Sequence, residues 1–188
     1  MQLSKIIEMI APIDFQVPPS PPAHVQSISN FKNAYQDPNF VLHVAAYIEH
    51  NEGYRNRLYR DSKGNWTIGI GHLVHPEEIH LFQGRKLSHS EIDALFLKDL
   101  MQKMNAIHDN FGDVFSLFSN DLKAAIVDGY FRGDLAKSPN TVSLLKQRRF
   151  KEAAKEYLNN AEYRAAKTNK SGVAVRMERN AKMMWQEN

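Results

Sequence analysis

The chain has 188 residues, of which 43% are hydrophobic and 24% charged, close to the average for globular proteins. This length suits one domain with a real core, or two lobes that share a helix, and it is too short for two ordinary independent domains. There is no cysteine, which excludes disulfide frameworks, thiolate metal sites and cysteine nucleophiles. No run approaches the roughly 18 apolar residues that span a bilayer. We therefore expect no membrane insertion, and the N-terminal residues do not have the pattern of a signal peptide.

The net charge of +3 is unevenly distributed along the chain. Residues 123–188 hold 14 Lys/Arg against 7 Asp/Glu, whereas residues 1–122 hold 10 against 14. A basic C-terminal third suits a polyanion such as a nucleic acid, a membrane surface or an acidic cell-wall polymer, although these side chains could equally solvate helix faces. The sequence has no recognisable nucleic-acid motif, so we expect no nucleic-acid partner.

A proline-rich stretch separates the first residues from the rest of the chain. The sequence VPPSPPA, residues 17–23, fixes an extended backbone and cannot sustain a helix or a sheet. We interpret residues 1–36 as an N-terminal proline-containing arm that precedes a catalytic-sized domain at residues 37–188.

The first helix and a hairpin follow the arm. Asp37 and Pro38 form a helix start, apolar residues then repeat at helical spacing, and Gly53 is a typical helix end, so Glu52 is expected at the C-terminus of this helix. The next residues, RLYRDSKGNWTIGIGHL, alternate apolar and polar residues around a glycine-containing turn, which predicts a hairpin.

From Ser88 onward the pattern is helical. Ser88 and Glu91 form a capping box that opens a long helix to about residue 108. Further helices are expected at 120–132, 139–147, 149–159 and 173–185. The predicted fold class is α+β, with a small β-hairpin lobe and a larger helical lobe joined by a long helix.

Two carboxylates and a hydroxyl lie close together in residues 52–72. Hydrolysis of a glycosidic bond needs one protonated carboxyl group and one ionised carboxylate. Glu52 at a helix C-terminus faces the negative end of the helix dipole, which favours the neutral acid, whereas Asp61 in a polar turn can stay charged. Thr67 offers a hydroxyl that can hold a water. Taken alone, these residue types are common in turns and strands.

Their order and spacing are more specific. The segment IEHNEGYRNRLYRDSKGNWTIGIGH closely resembles the signature of the phage-type lysozymes, the T-even lysozyme class of glycoside hydrolases. A weaker resemblance continues in NTVSLLKQRRFKEAA, residues 140–154, and in RMERNAKMMW, residues 176–185. The likeness covers about residues 39–185, implies a lysozyme-like fold and does not extend to the arm.

The resemblance implies a role for each matching residue. Glu52 would be the general acid, Asp61 the base for an attacking water, and Thr67 the group that orients this water. The family inverts the configuration at the anomeric carbon, which requires a carboxyl separation of roughly 6.5–9.5 Å. No cofactor is implied.

The resemblance also implies supporting and substrate-binding residues. Arg176 would reach back to the catalytic Glu52, and sugar contacts are implied for Leu73, Asn140 and Thr141. Phe131 occupies a position where the family commonly has a polar residue in the cleft, so one sugar contact is expected to differ.

The histidines have a simpler explanation than metal binding. His72, His75 and His80 lack the acidic or cysteine partners that a tetrahedral site needs, so we expect no metal site. We expect His72 to be structural, either hydrogen-bonded or paired with an acid within the lobe, and to take no direct part in the chemistry. The large apolar residues Met177, Met183, Met184 and Trp185 are interpreted as the packed face of a terminal helix.

The expected function is that of a muramidase, which hydrolyses the β-1,4 bond between N-acetylmuramic acid and N-acetylglucosamine in peptidoglycan. The first hypothesis is a monomeric phage endolysin that accumulates in the host cytoplasm and reaches the wall after holin-type release. The second is a virion lysozyme that residues 1–36 anchor to a tail or baseplate protein. A non-catalytic wall-binding protein and a lytic transglycosylase are alternatives that the set of Glu52, Asp61 and Thr67 disfavours.

Overall fold

The computed structural model describes residues 38–61 and 64–188. The arm expected at residues 1–36 lies outside these ranges, so the division into an arm and a catalytic domain stays a prediction. The described residues fall into two compact units, one formed by residues 38–102 and the other by residues 103–188.

Helix α1 (Pro38–Glu52) opens the first unit as predicted. Its buried side chains include Val44, Tyr47 and Ile48, which recur at helical spacing. Gly53 takes a left-handed conformation with φ of 73°, and its N–H donates to the Glu49 carbonyl at 2.8 Å. A glycine in this conformation ends the helix, so Glu52 is the last helical residue.

A three-stranded antiparallel sheet follows, in the order β1 (Arg55–Arg60), β2 (Trp66–Gly69) and β3 (His72–Leu73). The predicted hairpin is confirmed, and a tight turn at residues 70–71 adds the third strand. A short 3-10 helix (Pro76–Glu78) and helix α2 (Ile79–Phe82) come next. These two short elements were not expected from the sequence.

Helix α3 (His89–Phe111) is the long helix that the capping box predicts. The Glu91 N–H donates to Ser88 Oγ at 3.3 Å, and the Ser88 N–H donates to Glu91 Oε2 at 2.8 Å. The helix ends three residues beyond the expected position and continues into a 3-10 helix (Gly112–Leu117). The boundary between the two units falls within α3, after residue 102.

The second unit is helical. The expected helices are present, and one was missed, since Asn160 caps an additional short helix by accepting a hydrogen bond from the Tyr163 N–H at 2.7 Å. The helices are α4 (Asn120–Arg132), α5 (Pro139–Lys146), α6 (Phe150–Tyr157), α7 (Ala161–Thr168) and α8 (Gly172–Gln186). Their shared core includes Leu122, Ile126, Leu145, Ala153, Met177 and Met184.

The described ranges are mostly helical with one small antiparallel sheet, which confirms the predicted α+β class. Among these helices, none combines the length and the apolar character needed to cross a bilayer.

Candidate active site

Glu52 lies against the turn that joins β2 to β3. Gly71 in this turn has φ of +70°, and a Cβ built on it would lie 3.0 Å from Cγ, Cδ and Oε2 of Glu52. Both the backbone conformation and the neighbouring carboxyl group therefore favour glycine at this position. The two halves of the motif, the Glu-Gly helix end and the glycine-rich turn, meet at the Glu52 side chain.

Asp61 is held by the turn between β1 and β2. The Asn65 N–H donates to Asp61 Oδ1 at 2.7 Å, and the Asn65 side-chain amide donates to Oδ2 at 3.1 Å. The Asp61 N–H donates in turn to the Asn65 carbonyl at 2.9 Å. Two donors on one carboxylate favour its ionised form and fix its orientation.

A row of three side chains crosses one face of the sheet. Thr67 on β2 is paired with Tyr59 on β1 and with Leu73 on β3, and directly opposed residues project to the same face. Thr67 is buried, and its hydroxyl donates to the Asn65 carbonyl at 3.3 Å. Leu73 is 48% exposed at the edge of the row. This face therefore presents a hydroxyl group beside an accessible apolar side chain.

The pKa of Tyr59 depends on both carboxylates. The pKa of its phenol is raised, first by burial and then by the negative charge of Glu52, while Asp61 adds to the shift and Arg55 opposes it. The Arg55 guanidinium lies 4.6 Å from the centroid of the Tyr59 ring. Tyr59 lies opposite Thr67 and is within electrostatic range of both Glu52 and Asp61.

Comparisons with known proteins identify the family of this chain. The family profile described as phage lysozyme matches residues 49–180, which is more than half of the chain. The chain belongs to the phage lysozyme family. It is therefore a lysozyme, a muramidase-type enzyme that hydrolyses peptidoglycan, and the predicted family and fold are confirmed.

Two curated relatives of this lysozyme come from Dictyostelium discoideum. The protein named "Probable T4-type lysozyme 2" is 26% identical over 135 residues, which cover 60% of this chain and 79% of the relative. The protein named "Probable T4-type lysozyme 1" is 25% identical over 142 residues, or 63% of this chain and 84% of the relative. Neither relative is a phage protein, so membership of the family does not itself identify a phage source.

His72 of the lysozyme lies on β3 and is buried. Its Nδ1 is 2.8 Å from Oδ2 of Asp99 on α3. Its ring packs edge-to-face with the Phe82 ring, with 6.1 Å between the ring centroids. This pairing with an acid inside residues 38–102 agrees with a supporting position. Within the described part of the chain, no group of three His, Cys, Asp or Glu side chains is arranged to hold a metal ion.

The expected sugar-binding residues of the second unit differ in exposure. Asn140 is exposed at the start of α5, and its amide donates to Glu156 Oε1 at 3.2 Å. Thr141 is fully buried, so a sugar would reach its hydroxyl only after a local rearrangement. Both assignments stay predictions, as does the expected effect of Phe131, which is partly buried on α4.

Arg176 is fixed by a buried carboxylate within residues 103–188. Its Nε donates to Asp128 Oδ2 at 2.8 Å and its Nη2 to Oδ1 at 2.6 Å, while the Asn180 amide donates to Oδ2 at 2.8 Å. Asp128 is completely buried. The expected approach of Arg176 to Glu52 stays a prediction.

Sequence reasoning missed the residues that hold the site in place. Asn65, Tyr59 and Gly71 belong to the segment that was singled out, but no role was assigned to them. Asn65 lies four residues after Asp61 at the far side of a glycine turn, a spacing at which a side chain can close the turn on the carboxylate. The alternation of β1 and β2 would have placed Tyr59 and Thr67 on one face.

Proposed function

We propose that this lysozyme cleaves the β-1,4 bond between N-acetylmuramic acid and N-acetylglucosamine by an inverting mechanism. Glu52 donates its proton to the leaving glycosidic oxygen. Asp61 removes a proton from a water that attacks the anomeric carbon from the opposite face, and Thr67 orients this water. One displacement inverts the anomeric configuration and leaves no covalent intermediate on the enzyme.

The observation that carries this proposal is that Asn65 joins the Asp61 carboxylate to the Thr67 hydroxyl, while Glu52 lies against the β2–β3 turn of the same sheet. The surroundings of the two carboxyl groups differ as the division of roles requires. Asp61 accepts two hydrogen bonds from Asn65, which favour a charged base. Glu52 is the last residue of α1, at the negative end of the helix dipole, and lies against the turn that joins β2 to β3.

Replacement of the acid tests its assignment. Glu52→Gln keeps the size of the side chain and removes the proton donor, so clearing of a peptidoglycan suspension should fall by at least about 100-fold. Glu77→Gln is the matched control, because Glu77 is an exposed acid in a separate 3-10 helix of the same unit. Clearing by Glu52→Gln at the wild-type rate would show that Glu52 is not the proton donor.

The products test the reaction type. Hydrolysis leaves reducing muramic acid ends, whereas a lytic transglycosylase leaves 1,6-anhydro ends, and mass spectrometry of digested peptidoglycan separates the two. An inverting enzyme acting on a β bond should first release the α-anomer, which proton NMR detects before mutarotation. Anhydro ends, or an initial β-anomer, would overturn the proposed mechanism.

For the biological role, we propose a phage endolysin that accumulates in the host cytoplasm and reaches the wall through a holin-type pore. The observation that supports this role is the description of the matching family profile, phage lysozyme. Expression in bacteria with and without a pore-forming protein tests it, because lysis should require both components. Lysis without the pore would contradict this route to the wall.

A virion-associated lysozyme for local wall penetration is the second candidate. It is favoured by residues 1–36, which precede the family match at residue 49 and contain the proline-rich stretch. Two phages are compared, one that encodes the full-length chain and one that encodes the chain without residues 1–36. Mass spectrometry of their purified particles distinguishes the virion lysozyme from the endolysin. Incorporation that depends on the arm supports anchoring to a tail or baseplate protein, whereas absence from the particle supports the endolysin.

A further inference from the structure

Trp185 does not fit the expectation of a purely buried terminal helix. Met177 and Met184 on α8 are buried as predicted, whereas Trp185 is only partly buried at the last turn. Two ammonium groups from the neighbouring helix α6 lie beside its indole ring. The Lys151 Nζ is 5.9 Å and the Lys155 Nζ 5.6 Å from the ring centroid. Both distances are within the range of a cation–π contact.

The two lysines keep their positive charge available. Both are exposed, and among the described residues neither ammonium has a carboxylate at ion-pair distance. Glu152 on α6 is paired with Arg149, and Lys155 acts on it only at longer range. Glu156 on the same helix accepts a hydrogen bond from the Asn140 amide, and the Glu187 carboxylate accepts from the N–H and hydroxyl groups of Ser119. These three acids therefore have hydrogen-bond partners other than the two lysines.

Arg148 is a third cation, and it lies near the C-terminal end of helix α8. The Arg148 Nη2 donates to the Asn188 backbone oxygen at 3.1 Å, next to the last turn of α8. The positive charges of Lys151, Lys155 and Arg148 partly complement the negative end of the α8 dipole. That effect accounts for cations near the helix end, but it does not require a partly buried indole beside two lysines that lie one helical turn apart.

The arrangement suits a ligand that combines carboxylates with an uncharged ring. Residues four apart on a helix are neighbours, with Cβ atoms about 6 Å apart, so Lys151 and Lys155 present two positive charges on one face of α6. The contact with the ring restricts both side chains before a ligand arrives, which lowers the entropy cost of binding. Indole rings provide apolar area with little conformational freedom. Peptidoglycan has this composition, because carboxylates of its peptide stems branch from a chain of neutral sugars.

We propose that Lys151, Lys155 and Trp185 form a second, non-catalytic contact for peptidoglycan. The two ammonium groups pair with carboxylates of the peptide stems, and the indole packs against the glycan between them. The contact belongs to residues 103–188, whereas Glu52, Asp61 and Thr67 belong to residues 38–102. The inference rests on peptidoglycan being the substrate and requires no particular mechanism of cleavage. Its effect is to retain the enzyme on the wall between cleavage events.

Binding in an inactive background tests the contact without cleavage. Glu52→Gln protein is sedimented with purified sacculi, alone and combined with Lys151→Gln and Lys155→Gln. Two exposed ion pairs predict a weakening of roughly 3- to 30-fold. The matched control combines Lys98→Gln with Lys137→Gln, since these lysines are also exposed but lie on α3 and in the loop after α4. The control should change binding less than about twofold.

Three further arms show whether the contact is specific. Amidation of the sacculus carboxyl groups should remove the difference between Glu52→Gln protein and the Lys151/Lys155 variant, and Lys151→Arg with Lys155→Arg should restore binding. Trp185→Phe should bind more tightly than Trp185→Leu, with thermal unfolding measured for both. Equal losses in the variant and the Lys98/Lys137 control would show a net-charge effect and overturn the proposal. Binding of single-stranded DNA that depends on the two lysines, with sacculus binding unchanged, would also overturn it.

Discussion

Asn65 binds both carboxylate oxygens of Asp61. Its backbone N–H donates to Oδ1 at 2.7 Å and its side-chain amide to Oδ2 at 3.1 Å. The same residue also accepts a hydrogen bond from the Thr67 hydroxyl through its carbonyl oxygen at 3.3 Å. Asn65 therefore connects the proposed base to the hydroxyl that is expected to orient the water.

Asn65→Ala should lower activity while the protein stays folded. The variant keeps the backbone hydrogen bond but loses the amide donor to Oδ2, and a hydrogen bond to a charged group contributes about 1.5–3 kcal/mol. If this orientation is used in the transition state, kcat/KM should fall roughly 10- to 100-fold. The rate of peptidoglycan clearing measures the loss. Asn110→Ala is the control, because the exposed Asn110 amide bonds to the Ala106 carbonyl of its own helix. Equal activity of the two variants would contradict a role for Asn65.

Gly71→Ala should inactivate the enzyme more than its backbone strain alone explains. The new methyl group would lie 3.0 Å from three atoms of Glu52, which must move the carboxyl group. Gly84→Ala is a close control, since Gly84 has φ of +74° against +70° for Gly71, and a methyl group added to Gly84 would meet no described atom within 4 Å. A left-handed alanine costs about 1–2 kcal/mol in each variant.

Thermal unfolding and clearing should therefore separate these two glycine variants. Similar melting temperatures with a much lower clearing rate for Gly71→Ala would support displacement of Glu52. A Gly71→Ala enzyme as active as Gly84→Ala would show that Glu52 tolerates the shift.

The structural features that the sequence predicted best are those that depend on residues close together in the chain. Glu52 at a helix end and Thr67 in a hairpin follow from caps, glycines and alternation over a short stretch of chain. The pair of Asp128 and Arg176 joins residues 48 apart, so no local pattern predicts it. Trp185 was assigned to the core because periodicity identifies a helix face but not how completely neighbouring elements cover each residue on that face. The missed helix α7 buries only Tyr163 and Ala166, so its sequence has little apolar periodicity.

Asp128 should be among the most important residues for stability in the second unit. It is fully buried and binds Arg176 through both oxygens, and removal of one partner from a buried pair costs about 3–5 kcal/mol. Asp128→Ala should therefore lower the free energy of unfolding in urea by that amount, whereas the exposed Asp113→Ala should change it by less than about 0.5 kcal/mol.

A double variant separates the buried charge from lost packing. Asp128→Leu combined with Arg176→Met removes both charges, so it should unfold at a higher urea concentration than Asp128→Leu alone. A double variant less stable than Asp128→Leu would show that packing around the pair, rather than an uncompensated guanidinium, dominates the loss.

Tyr163 should make the stability depend on pH in alkaline solution. Its buried hydroxyl donates to Glu178 Oε1 at 2.7 Å, and burial, this hydrogen bond and the charge of Glu178 raise its pKa above the usual 10.0. The unfolded chain therefore releases the phenol proton at a lower pH than the folded chain. The stabilisation is complete below about pH 10 and is lost as the pH rises towards the higher folded-state pKa.

Comparison with Tyr163→Phe isolates this effect. The difference in free energy of unfolding between wild type and variant should be constant from about pH 7 to 9. It should then shrink above about pH 10, by at most about 1.4 kcal/mol per pH unit for one proton. Urea unfolding followed by circular dichroism at each pH measures the difference. A constant difference up to about pH 11.5 would show that Tyr163 ionises equally in both states and that its hydrogen bond to Glu178 does not hold the proton.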